Sequence, residues 1–189
     1  MTLLVCLALG LVLSTAATSH CSAVLMHGDE PDDLVKRSCG MIVGYEECVA
    51  ILRSDPRAAK ASDVKELAYV ILDLCIANAT DTLGQIPKLQ AQYSAHDQMK
   101  QALDYCEGEY RSAIKDYFGE AVKLLDAKSY QEAQYSAHIG GALGTSCEQE
   151  FYFQAPHFSP LWVRNHDLAV LGLVAEGIVS LLRLNETYI

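Results

Sequence analysis

Residues 106–147 read CEGEYRSAIKDYFGEAVKLLDAKSYQEAQYSAHIGGALGTSC, two helical patterns separated by a short break at 126–129. Before the break, Cys106, Tyr110, Ala113, Ile114, Tyr117, Ala121, Leu124 and Leu125 recur at three- and four-residue spacing, the period of one buried helix face. After it, Ser129 followed three residues later by Glu132 spells a capping box. Ala133, Ala137, Ala142 and Leu143 then carry the pattern toward Cys147 and Phe151. A bridge from Cys106 to Cys147 would fasten the two helices as an antiparallel hairpin and give the remaining helices a surface to pack on. Gly140, Gly141 and Gly144 lie inside the second helix. Each costs about 1 kcal/mol relative to Ala in an exposed helix, so their expected use is close approach to a neighbouring helix.

Working outward, Asp63 with Glu66 makes another capping-box start. Val64, Leu67, Ala68, Ile71, Leu72, Cys75, Ile76, Ala79, Leu83 and Ile86 follow as a stripe of helical period. Pro87 is expected to end or kink this helix, with a polar loop running through His96. The helix that contains Cys106 starts near Asp97. Ser159-Pro160 reads as an N-cap with proline in the first turn, and Leu161, Leu168, Leu171, Val174, Ala175, Ile178, Leu181 and Leu182 give the last helix its buried face. Glu176 and Arg183 interrupt and close that apolar run, so a core helix is expected there and not a membrane span. At the other end, residues 34–42 and 45–52 form two short helical pieces about Gly44, flanked by Cys39 and Cys48. A bridge between those two closes about ten residues and contributes roughly 2.5–3 kcal/mol. The expected fold is all-α, an up-and-down four-helix bundle preceded by a disulfide-linked N-terminal helical hairpin.

The chain has 189 residues, 51% of them hydrophobic, and a formal charge of −10. That supports one domain with a core; it lacks the basic stripe of a nucleic-acid binder and favours a basic partner. Residues 3–13 (LLVCLALGLVL) have the length and character of a signal-peptide core, although no Lys or Arg precedes them. Small residues permit cleavage after Ala17 or Ala23; the segment 1–23 is read as signal and 32–185 as the folded domain. Export places the chain where disulfides persist. Cys6 leaves with the signal, and Cys21 leaves too if the cut follows Ala23. Of the remainder, Cys75 lies on a core stripe and reads as a buried free thiol. Asn78-Ala79-Thr80 and Asn185-Glu186-Thr187 are N-glycosylation sequons.

Catalytic patterns are absent from the sequence. None of the six histidines pairs with another at helical spacing, and there is no Glu-x-x-His, CxxC, G-x-S-x-G or glycine-rich phosphate loop. The expectation is a protein that is not an enzyme, with no metal site and no cofactor. The hexapeptide AQYSAH occurs twice, at 91–96 and 133–138, and has no evident structural reason.

The cysteines and their neighbours resemble the plant invertase/pectin methylesterase inhibitor family. The matching residues are Cys39 and Cys48 with Tyr45 between them, Leu52-Arg53-Ser54-Asp55-Pro56, and Leu67-Ala68. They continue with Ala102-Leu103-x-x-Cys106-x-x-x-Tyr110-x-x-Ala113, Tyr130-x-x-Ala133, Cys147, Phe151, Ser159-Pro160-Leu161 and Asn165. The likeness runs from about residue 32 to 184. It implies bridges Cys39–Cys48 and Cys106–Cys147. It also implies a secreted, non-catalytic, monomeric inhibitor of a cell-wall enzyme, located in the apoplast, or in the vacuole if its target is an invertase. With nothing recognisable after the bundle, the chain reads as a free-standing inhibitor. Invertase inhibitors of the family carry Pro-Lys-Phe in the turn between the second and third bundle helices. Here the positions read Lys128-Ser129-Tyr130, the expected target contacts, without the proline and with Ser129 placed as a helix cap. Esterase inhibitors lay polar helix faces across the enzyme's cleft. The resemblance therefore implies pectin methylesterase as partner, with acid invertase as the alternative. A non-inhibitory extracellular binding module stands as the reading from another class. If His96, His138, His157 or His166 lies at the contact, affinity should change between about pH 5 and 7.

Overall fold

The computed structural model describes residues 33–154 and 158–186, with the side chains of Gln154, Asn185 and Glu186 left out. The expected signal segment, Cys6, Cys21 and His157 lie outside the described residues. Seven α-helices are present among them: α1 (Leu34–Cys39), α2 (Tyr45–Arg53), α3 (Val64–Gln92), α4 (Asp97–Ser112), α5 (Gly119–Asp126), α6 (Tyr130–Gln154) and α7 (Trp162–Glu186). A π-helical stretch, Ala113–Phe118, joins α4 to α5 into one rod. That rod, α3, α6 and α7 form the four-helix bundle: α3 packs on α4 and α7, and α6 packs on α4 and α7. The α1–α2 hairpin lies against α3 and α7.

The caps explain where the helices begin. The Asp33 carboxylate accepts from the N–H groups of Val35 and Lys36 at 3.1 and 3.3 Å, satisfying two of the donors that α1 leaves open. Asp63 Oδ1 accepts from Glu66 N at 2.9 Å, while Glu66 Oε2 accepts from Ser62 N at 2.6 Å. Ser159 Oγ accepts from Leu161 N at 3.2 Å, and α7 follows at Trp162. Cys39 is bonded to Cys48 and Cys106 to Cys147. Cys75 is free and buried, and burial pushes its thiol pKa up.

The core runs the length of the bundle. Leu67, Ile71, Leu72, Leu103, Phe118, Leu125, Phe151 and Leu168 are all buried, each contributing roughly 1.5–3 kcal/mol relative to exposure. The α3 helix is long and apolar enough to cross a membrane by length and composition, and its apolar side supplies this core. One polar chain crosses the interior. Tyr110 donates its hydroxyl to Asn165 Oδ1 at 2.8 Å, and Asn165 Nδ2 donates to Glu148 Oε2 at 2.7 Å, tying α4 to α7 and α7 to α6. Burial pushes the Tyr110 pKa up, keeping that hydroxyl a donor. The glycines of α6 are used for close approach, as expected. A Cβ on Gly140 would come within 2.7 Å of the Phe118 ring, one on Gly141 within 2.7 Å of Gly172 Cα, and one on Gly144 within 2.5 Å of the Asn165 carbonyl oxygen.

Three details depart from the expected pattern. Helix α3 does not end at Pro87; it continues to Gln92, leaving only Tyr93–His96 as the turn. Pro87 faces solvent, and the helix runs through it without the N–H that a proline cannot donate. Beyond it, Leu89 packs on the core and Gln90 Nε2 donates to Asp104 Oδ1 at 2.8 Å. The first AQYSAH copy therefore starts inside a helix, not in a loop. Second, the rod expected to be a plain α-helix from 97 to 125 contains the π stretch, in which Gly119 N–H reaches the carbonyl of Ile114. Third, Ala142, placed on the α6 stripe, is exposed; Gly141 takes the position against α7.

Candidate functional site

The turn between α5 and α6 closes by hydrogen bonds of its own backbone. Ser129 N–H donates to Leu124 O at 2.9 Å and Lys128 N–H to Leu125 O at 3.2 Å, the paired pattern of a Schellman motif. The residue in the left-handed position of that motif is usually glycine; here it is Lys128, with φ 60°. Ser129 follows at the N-cap position, its carbonyl accepting from Ala133 N–H at 2.9 Å. Lys128 is exposed, and Ser129 and Tyr130 are half-buried. The three expected contact residues thus form one compact knuckle with its cation in solvent.

Helix α3 braces the knuckle. Tyr69 donates its hydroxyl to Asp126 Oδ1, and Lys65 Nζ lies 5.6 Å above the Tyr69 ring. Burial, and then the Asp126 carboxylate, push the Tyr69 pKa up to about 12, so the hydroxyl keeps its proton and can donate to Asp126 beyond the range of an ordinary tyrosine. On the other side a cleft of about 540 Å³ opens between the knuckle and the end of α7, lined among others by Lys128, Tyr130, Gln134, Ser180 and Arg183.

Beside this cleft, α6 and α7 present a polar face that no single stretch of sequence displays. Arg183 Nη1 donates to Gln134 Oε1 at 2.6 Å. His138 Nδ1 and Glu176 Oε2 are 2.8 Å apart, and Tyr135 stands exposed between these pairs. The other histidines are scattered. His96 occupies the N-cap position of α4, edge-on to Tyr93, and His166 stacks on Trp162. Of the described histidines expected at a contact, His96, His138 and His166, only His138 shares the face next to the knuckle. Asn78, the described sequon asparagine, sits within α3 with Oδ1 buried and unpartnered. No group of three or more His, Cys, Asp or Glu among the described residues is arranged to hold a metal ion. What this region offers is a rigid cationic knuckle flanked by tyrosines and by paired, pre-ordered polar side chains, an arrangement suited to binding a surface.

The family model described as plant invertase/pectin methylesterase inhibitor matches residues 33–165. The chain is 26% identical to the cell wall/vacuolar inhibitor of fructosidase 1 of Arabidopsis thaliana over 123 residues, 65% of this chain and 58% of that protein. It thus spans less than two thirds of that relative's length. It is 29% identical to pectinesterase inhibitor 28 of Oryza sativa subsp. japonica over 158 residues, covering 79% of this chain and 69% of that one. Its fold is similar to the crystal structure of mutant form A of a pectin methylesterase inhibitor from Arabidopsis, with a TM-score of 0.64 at 20% identity, over 75% of this chain and 92% of that chain.

Proposed function

The chain belongs to the plant invertase/pectin methylesterase inhibitor family, and from that premise we propose that it is a secreted inhibitor of pectin methylesterase. It forms a stoichiometric complex that covers the enzyme's cleft. The observation that carries the choice of target is the closure of the α5–α6 turn. Its backbone is consumed by a Schellman motif and braced by Tyr69, so it is a compact corner beside the polar face of α6 and α7. A corner of that shape supports laying helix faces over an enzyme better than threading a loop into a narrow pocket. In this reading residues 1–23 are removed on export, the folded domain acts as a monomer in the cell wall without catalysis, and Gln134, Tyr135, His138 and Arg183 belong to the contact.

A second reading is favoured by a specific feature. Lys128 is held outward in a strained conformation beside Tyr130, a cation and an aromatic at the position where invertase inhibitors of the family carry theirs. On that reading the target is acid invertase and the vacuole becomes a second location. The assay is direct: purified mature protein is added to plant pectin methylesterase and to acid invertase, and both rates are followed. Titratable loss of esterase activity at one inhibitor per enzyme, with invertase untouched, is the expected result. Inhibition of invertase alone would overturn the choice of target. If both enzymes keep full activity, the inhibitory reading gives way to a helical binding module.

A further inference from the structure

Helix α7 carries a second apolar stripe on the side away from the bundle core. Trp162, His166, Val170, Leu173 and Gly177 fall at i, i+4, i+8, i+11 and i+15, one face of a helix, about 22 Å long at 1.5 Å per residue. Trp162, His166 and Leu173 are exposed, and the His166 ring stacks on Trp162 with centroids 6.3 Å apart. The turn of the α1–α2 hairpin forms a wall beside this stripe. Gly177 makes room for it: a Cβ there would come within 2.9 Å of Ile42 Cδ1. With Ile42 seated, its neighbours Met41 and Val43 are left in solvent, Val43 97% exposed. Exposed Met41 and Val43 set against an exposed apolar stripe are not explained by folding stability, because burying these side chains is what folding would favour.

Between the two walls runs a groove of about 830 Å³, continued between α2, α3 and α7 by another of about 390 Å³. Glu47, His166 and Val170 line both, so the two adjoin. Its charge has a single sign. Glu47, Asp167 and Glu176 line it, and no Lys or Arg does among the described residues. A second copy of this chain is a poor occupant, since it would bring three carboxylates of its own to an already acidic rim.

We propose that this groove is a protein-docking site that takes an amphipathic helical segment whose apolar face is flanked by Lys or Arg. The apolar residues of the segment would lie along Val170 and Leu173 between the α7 stripe and the hairpin turn, in the helix-in-groove mode. Its cations would meet Glu47 and Asp167, with Glu176, hydrogen-bonded to His138, at the far rim. The groove adjoins the proposed enzyme contact, sharing Gln134 and Ser180 with the knuckle cleft and bordering the His138–Glu176 pair, while Glu47, Val170 and Leu173 lie outside that contact.

Trp162 is the only tryptophan of the chain and reports on the groove through His166, which lines it and stacks on the Trp162 ring. The full mature chain is titrated with two synthetic helical peptides of about four turns. Both carry the same leucine face, one flanked by lysines and the other by glutamates. The lysine peptide is expected to saturate a blue shift of Trp162 emission and to weaken as salt is raised; the glutamate peptide is expected to leave emission unchanged. Leu173→Asp should lower affinity for the lysine peptide at least about tenfold and Glu47→Gln severalfold, both without loss of melting temperature, because each side chain is exposed. Equal binding of both peptides, no binding of either, or binding unaffected by Leu173→Asp would overturn the proposal. Two other outcomes would overturn it by naming another occupant. Self-association of the chain that Leu173→Asp abolishes would assign the groove to a second copy. Peptide binding seen only after removal of the residues before Asp33 would assign it to the chain's own N-terminal segment.

Discussion

Two helical hairpins in this chain turn on a left-handed residue, and they use different residues to do it. The α1–α2 hairpin turns at Gly44, φ 82°, and the α5–α6 hairpin at Lys128, φ 60°; no other described residue has positive φ. Glycine enters that region at little cost because it has no Cβ. For lysine the same geometry costs roughly 1 kcal/mol or more. The hairpins are also stapled at opposite ends. Cys39–Cys48 flanks the Gly44 turn directly, and the open end beyond it is closed by the Arg53–Asp33 ion pair. Cys106–Cys147 lies about 30 Å from its turn, at 1.5 Å per helical residue, while Tyr69–Asp126 secures the turn itself. Stability alone accounts for the first turn. It does not account for Lys128, whose side chain is in solvent.

The comparison breaks most visibly at the sulfurs. Replacing Cys106 and Cys147 together by Ala should cost about 4 kcal/mol, because that bridge closes the longer loop; urea unfolding reads this as a lower midpoint. The same change at Cys39 and Cys48 should cost about 2.7 kcal/mol, with faster hydrogen exchange confined to α1 and α2. A reversed order would show that the α1–α2 hairpin, and not the α5–α6 pair, frames the fold.

The two turn residues should then respond with opposite sign. Gly44→Ala is expected to destabilise by about 1 kcal/mol from conformation alone, since a Cβ there meets nothing closer than 3.5 Å. Lys128→Gly should stabilise by about 0.5–1 kcal/mol, measured by the shift in thermal midpoint, and at the same time weaken inhibition of the target enzyme. A stabilised variant that inhibits as well as the parent would remove Lys128 from the contact.

The smallest expected effect is at the brace. Tyr69→Phe should cost about 0.5 kcal/mol, with a pH signature. Tyr69 holds its proton more tightly when folded, with its pKa raised from 10.0 to about 12. Its contribution is therefore complete below about pH 10 and fades as pH rises toward 12. Denaturant curves for parent and Tyr69→Phe should diverge in pH dependence only in that window; a constant difference through it would mean that the hydroxyl is not held as described.

The sequence makes the bundle readable where side-chain pattern and backbone agree. The Asp63–Glu66 cap, the α3 stripe from Leu67 to Ile86, and Ser159 before α7 each carry a local signal with one physical meaning. Pro87 misleads because its local cost is outweighed by contacts beyond it that the sequence does not display, Leu89 on the core and Gln90 to Asp104. The π stretch at 113–118 is invisible because one extra residue shifts the apolar positions without removing them. At the candidate site, residues 128–130 can be located as a turn, but the left-handed Lys128 cannot, since lysine carries no preference for that conformation. The Gln134–Arg183 and His138–Glu176 pairs join helices roughly forty to fifty positions apart, and nothing in either helix alone announces them.

Cys75 sits in the middle of α3 with no exposed surface, the free thiol among the five described cysteines, whose other four are paired. Disulfide exchange needs an attacking thiolate with access to sulfur, and this thiol has neither its charge nor a path once α3 is packed. The bundle therefore acts as its own proofreader in an oxidising environment. A chain mispaired through Cys75 cannot bury that stretch of α3 and stays open to reshuffling, whereas the correctly paired chain withdraws its spare sulfur and locks the pattern it has reached.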